Sequence, residues 1–306
     1  MYTGALCLVL DTKDGDDQGT FTRMTRGLSL VVALFMGMTL CSAVAPAGAE
    51  WLALALMIGA GIPHGSFDLR VAKVKWGSAE SSRVAIVLCY LACVLSMSAL
   101  CFFTPLIGLS LFIVISALHF AEGETQSAAP MARLRGILFG IGAILLPIGL
   151  HLDETEPYVR YFISSELFQA LRPHLSASAL LLTSLIGVLL TLDFSGKQDV
   201  RATIERCICF AGWITLSPLA GFAVWFIGRH SHQHLELCEG MFAASRNKIP
   251  TDFIAISLLA IIGLAPFALF FDFSDINQLF AASICLIAGL TLPHMIVSHG
   301  IRGLAH

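Results

Sequence analysis

Charge is what this chain has least of. Only 13% of its 306 residues are Asp, Glu, Lys or Arg, where a soluble domain carries about 25%. With 57% hydrophobic residues and a mean hydropathy of +0.82, an ordinary water-soluble domain is excluded and the chain falls in the membrane class. A net charge of −3 leaves no basic surplus of the kind nucleic acid demands. The nine cysteines show neither a CxxC pair at zinc-finger spacing nor a secreted disulfide framework. Most sit in apolar stretches (Cys41, Cys89, Cys93, Cys101, Cys285) and read as small core residues. There is also no GxSxG elbow, Walker loop, GxGxxG turn or CxxCH site. Serine hydrolysis, P-loop phosphate chemistry, dinucleotide binding and c-type haem therefore have no foothold.

Residues 1–27 are mostly polar, with an acidic run at Asp14, Asp16 and Asp17, and are expected to be disordered; Met24 is an alternative start. Residues 28–306 are expected to form one transmembrane catalytic domain. Its apolar stretches are 28–46, 51–69, 84–103, 105–121, 134–151, 176–194, 203–217, 219–240, 252–271 and 279–300. Most approach the ~20 residues that cross a bilayer. The first could be a signal peptide; a first transmembrane helix is the favoured reading. The fold class is all-α, a polytopic bundle of about ten transmembrane helices (range about 8–10). Pro218 divides the 203–240 stretch, because proline removes a helix hydrogen bond and clashes with the preceding turn.

Charge supports that division. With ten spans and a cytoplasmic N-terminus in the inner (plasma) membrane, fifteen of the 18 Lys and Arg residues fall on the inner side. Only Arg160 and Arg172 fall outside, and Arg229 lies within a helix. This is the asymmetry that orients membrane proteins. The same topology brings His64, His119, His230, His234 and His294 into the cytoplasmic halves of their helices.

Intramembrane histidines are costly and mark function, and several imidazoles with few thiolates suggest a histidine-bound transition metal. His230 and His234 in RHSHQHLE stand at i and i+4, one face of a helix, and can share an ion; His232 points elsewhere. His64 lies in GIPHG, which can bend a helix, and Asp68 follows four residues later as a carboxylate able to fix the His64 ring. His119 ends an apolar helix just before Glu122 and Glu124, which either support it or mark the membrane boundary. His294 and His299 are five apart, so PHMIVSH supplies at most one ligand, His294, for which a pocket or structural role is favoured. His151, His174 and His306 read as solvated. Four neutral histidines leave open positions on an octahedral ion, which suits Fe(II) and dioxygen better than tetrahedral zinc.

The four segments Pro63-His64-Gly65-Ser66-Phe67-Asp68, His119-Phe120, His230-Ser231-His232-Gln233-His234 and Pro293-His294 together resemble the Brp/Blh family of bacterial and archaeal membrane β-carotene oxygenases, over residues 28–300. The resemblance implies an iron-dependent enzyme that splits the central 15,15′ double bond of β-carotene with O2 into two retinals, with a functional link to a rhodopsin. It also implies His64, His119, His230 and His234 as iron ligands and Asp68 and Glu124 as their supports. Ala121, Glu124, Arg229 and Gln233 depart from the family pattern beside the ligands, which puts substrate and regiochemistry in question more than metal binding. Phe67, Phe120, Trp225 and Phe226 flank the ligands and are candidates to line a tunnel for an apolar substrate.

Two alternatives stand beside this one. A di-iron membrane desaturase or hydroxylase would use about eight histidines in HxxxH and HxxHH boxes; this chain has one HxxxH and no HxxHH. A metal transporter would place its ligands mid-membrane along broken helices.

Overall fold

The computed structural model describes residues 17–77, 80–125, 129–195, 199–242, 254, 258–259 and 261–299, without the side chains of 17–26, 60–64, 80–83 and 195. Among the described residues every regular element is helical. The main elements are α1 (Asp17–Val44), α2 (Pro46–Leu56), α3 (Asp68–Trp76), α4 (Glu80–Phe103), α5 (Pro105–Glu124), α6 (Pro130–Leu150), α7 (Leu152–Val159), α8 (Ser165–Ser195), α9 (Val200–Thr215), α10 (Pro218–Trp225), α11 (His232–Met241) and α12 (Ile276–Ser298). Proline opens α2, α5, α6 and α10, where its fixed φ helps and its missing N–H costs nothing. Asp199 caps α9 and Asp275 caps α12, each accepting from the backbone N–H two residues on.

Six described helices are long and apolar enough to cross a membrane: Gly27–Val44, Val84–Phe103, Pro105–Glu124, Pro130–Leu150, Ser165–Phe194 and Ile276–Ser298. Their outer faces carry bare aliphatic side chains such as Leu88, Leu95, Leu118 and Leu181, as lipid contact requires. The fold is thus the expected helical membrane bundle. Of the other expected spans, 51–69 and 219–240 are broken, while 203–217 is a short continuous helix, α9. Residues 46–76 run helically but pass through a wide π-turn (Met57–Gly61) and a 3-10 stretch (Ile62–Phe67) around Pro63. Pro218 separates α9 from α10 as its chemistry dictates, and a second π-turn (Phe226–Ser231) joins α10 to α11. The 252–271 stretch is described only in part. Helix α1 begins at Asp17, within the segment read as disordered; residues 1–16 lie outside the described residues.

Of four apolar clusters among the described residues, the two largest hold the bundle. Trp213, Trp225, Phe139 and Ile186 tie α6, α8, α9 and α10 together. Met97, Cys101, Phe271 and Cys285 join α4, α12 and the 264–271 segment. Gly140 lets α5 and α6 meet backbone to backbone: a Cβ there would come within 2.7 Å of the Ala121 Cα. Close approach through small residues is how helices pack where lipid offers no hydrophobic drive.

One sequence inference needs correction. Arg135 and Arg206, counted among the inner-side cations, are buried and paired with Asp193. They are structural charges inside the bundle rather than loop cations.

Candidate metal centre

Four of the histidines converge. The His119 ring on α5 meets His230 at 5.0 Å and His294 at 4.9 Å between centroids, and His294 on α12 meets His234 on α11 at 5.0 Å, all edge to face. One donor atom each of Asp68, His234 and His294 lies within 4.8 Å of the others. The His230/His234 pair is not on one regular helix: His230 lies in the π-turn and His234 on α11. The wide turn, a feature frequent at functional sites, sends His230 toward His119 and His234 toward His294. His232 points away, its Nδ1 3.6 Å from Glu236. The side chain of His64 lies outside the described residues. Its neighbour Gly65 packs against Asp68 and His294, where a Cβ would stand 3.3 and 3.5 Å from them.

Asp68 supports a histidine beyond the one expected, whose own side chain lies outside the described residues. Residues 62–67 are 3-10, so the α-helical i, i+4 relation between His64 and Asp68 does not hold. Among the described residues the Asp68 Oδ1 receives the Nδ1–H of His294 at 2.8 Å, and Oδ2 accepts from the Tyr90 hydroxyl at 2.8 Å. That bond puts the proton on Nδ1 and leaves the Nε2 lone pair as the donor toward a metal. His294, for which a pocket role was favoured, is therefore at the centre of the cluster.

Glu124 is buried and gripped by a fork: Arg229 Nε and Nη2 donate to its two oxygens at 2.7 and 2.9 Å. Trp225 Nε1 adds a 3.4 Å bond, while its indole stacks on His230 at 5.3 Å. Arg229 Nη1 also donates to Glu205 at 2.7 Å, and Arg206 lies 3.8 Å from Glu124 and 3.4 Å from Asp193. Arg135 completes the network on Asp193. It balances three guanidinium groups against three carboxylates and fixes the π-turn that carries His230. Glu205, Asp193 and Tyr90 escaped the sequence reading, and Arg135 and Arg206 entered it only as loop cations; charges inside apolar stretches were the signal for the four charged residues, and nothing local marked Tyr90.

The cluster faces an apolar cavity of about 550 Å³. It runs from Asp68, His119 and His294 past Ser116 and Phe112 to Tyr158. Phe120 and Phe226 line it, as expected, but Phe67 instead stacks on Phe242 at 5.8 Å. Away from the cluster, Tyr158 donates to Glu50 at 2.8 Å. Burial first and the Glu50 carboxylate second push the phenol well above its usual range, so it remains a donor at any physiological pH.

The donor set fits a divalent transition ion: neutral imidazoles close together, one held in its metal-binding tautomer by a carboxylate. The cavity fits one long apolar molecule beside it.

A family model described as "Beta-carotene 15,15′-dioxygenase" matches residues 55–302. A protein of an uncultured marine bacterium (66A03), named beta-carotene 15,15′-dioxygenase, is 26% identical over 260 residues, covering 81% of this chain and 92% of that one. No solved structure matches.

Proposed function

The chain belongs to the beta-carotene 15,15′-dioxygenase family, an enzyme family, and on that premise we propose that it is an iron(II) oxygenase that splits β-carotene at its central 15,15′ double bond. One β-carotene and one O2 balance two all-trans-retinal molecules. The observation that carries this reading is the histidine cluster opening directly onto an apolar cavity of about 550 Å³. A soluble ligand has no use for such a wall; a polyene dissolved in the bilayer does.

The residues divide the work. His119, His230, His234 and His294 would hold the ion, with His64 the further ligand that the resemblance adds. When bound, iron(II) with open coordination positions supplies dioxygen activation. Asp68 holds His294 in one tautomer, and Tyr90 holds Asp68. Glu124 and Arg229 hold the turn from which His230 projects. The cavity wall orients the polyene and keeps water from the reacting carbons. In this reading 28–306 is one catalytic domain spanning the bilayer with its N-terminus in the cytoplasm, and its retinal serves a rhodopsin.

Expression in a β-carotene-accumulating bacterium tests the reading, beside His234→Ala and His64→Ala. The expected result is loss of colour with two retinals formed per carotene consumed, abolished in both variants, and iron bound to the purified parent protein. Intact β-carotene in the presence of well-expressed, iron-loaded protein would refute the substrate. Retinal formation by the His234→Ala protein would refute the centre.

A further inference from the structure

The histidine cluster has a second approach besides the apolar cavity. A polar recess of about 50 Å³ is walled by His119, Glu122, Gly123, Gln233, His234 and Ser298. At Glu122, α5 and the C-cap of α12 are joined by a hydrogen bond between Glu122 Oε2 and His299 Nδ1 at 3.0 Å. Both side chains reach solvent, His299 at 78% and Glu122 at 38% exposure. Lys75 Nζ ties α3 to the same place, donating to the carbonyls of Val297 and His299 at 2.9 and 2.7 Å. His299 is thus a fixed exposed imidazole beside a carboxylate, at the rim of a recess that leads to His119, His230 and His234.

A hydrated divalent cation cannot reach the cluster through the apolar cavity. Stripping an ion of water without replacement costs on the order of tens of kcal/mol, and the cavity wall is nearly all hydrocarbon. The polar recess is the approach whose walls offer oxygen and nitrogen donors. We propose that Glu122 and His299 form an outer, transient binding point for a divalent transition cation, which passes through the recess to the histidine cluster. A carboxylate and an imidazole are suitable donors for such an ion, and two ligands bind it weakly enough to release it inward. This rests on the proposed metal centre and adds to it a route. A relay site lowers the barrier in both directions, so its loss slows loading and release alike and leaves equilibrium occupancy unchanged.

The test uses the full chain in detergent micelles, freed of metal by a chelator and loaded with Co2+ as an optical probe. Loading is followed by the cobalt d–d absorption and release by transfer to excess chelator. Glu122→Gln is expected to slow both processes about tenfold, the lower end of what focused charge contributes to association rates, and His299→Gln, which removes a donor nitrogen and no negative charge, to slow both by less, with cobalt per chain unchanged at equilibrium. Added salt should slow loading of the parent more than that of Glu122→Gln. Unchanged rates in both variants would overturn the route. Reduced occupancy would also overturn it, because the two residues would then be ligands or supports of the centre. His234→Ala separates the two levels: if it binds cobalt as the parent does, the metal centre itself is wrong.

Discussion

Removing the Arg229 guanidinium should damage the protein in a way that a second mutation partly repairs. Arg229→Met deletes three charged hydrogen bonds, two to Glu124 and one to Glu205. At about 1.5–3 kcal/mol each they would sum to more than is expected, because Arg206 stands 3.8 Å from Glu124 and takes up part of the charge. The expected loss is about 3–5 kcal/mol, the usual cost of leaving one half of a buried ion pair behind. Glu124→Gln keeps an amide oxygen for the fork and should cost less, about 2 kcal/mol. In the double variant no carboxylate is stranded at position 124, so it should be more stable than Arg229→Met alone by about 1 kcal/mol or more. Unfolding of the purified proteins in mixed micelles, over a series of SDS concentrations, gives the four free energies of the cycle. If the double variant loses the sum of the single losses, the buried charges are not acting as a pair and the account of the π-turn fails. Bound metal measured on the same samples should fall with Arg229→Met, since His230 is the next residue on that turn.

Asp68→Asn should weaken metal binding about 10–100-fold by releasing the His294 tautomer, whereas Tyr90→Phe, which removes one bond to Asp68, should cost about tenfold or less; competition with a calibrated chelator measures both. Ser116→Phe projects a ring into the cavity beside His119 and should stop turnover of a long polyene while metal content, read by atomic absorption, stays at the parent level. Gly140→Ala forces α5 from α6 and should lower stability by about 1–3 kcal/mol, while Gly187→Ala, with open space around it, should leave the thermal midpoint in place.

The bundle could be read from the sequence because lipid demands long apolar helices, and those windows are visible residue by residue. Pro218 also announced its own break. The two π-turns could not be read in this way. GIPHG announced a bend near Pro63 but not its form, and nothing in Phe226–Ser231 spells a wide turn, because that turn is imposed by what surrounds it, the grip of Glu124 and Glu205 on Arg229. Spacing rules therefore linked His64 to Asp68 through an α-helix that does not exist there, and they linked His230 to His234 on a face that the turn splits. His294 was underrated for the same reason. Its partner, Asp68, is 226 residues away, and pairings across that distance leave no local periodicity. The charged network was visible only as a set of oddities, Arg206 and Glu205 in an apolar stretch and Arg229 inside a helix. Which acid meets which base is decided by how the helices pack.

The order in which those charges occur along the chain bears on how the protein is made. Each Arg or acidic residue at mid-membrane opposes insertion of its segment by about 2.5–3.5 kcal/mol, and the 200–241 region carries Glu205, Arg206 and Arg229 on helices that are short or broken. The two carboxylates that pair with these arginines, Glu124 and Asp193, lie on α5 and α8, which leave the ribosome earlier. By the time α9 and α10 emerge, the earlier helices already present the opposite charges. These two segments can enter the bilayer against protein instead of against lipid, and membrane integration of the second half becomes a templated step that depends on the first.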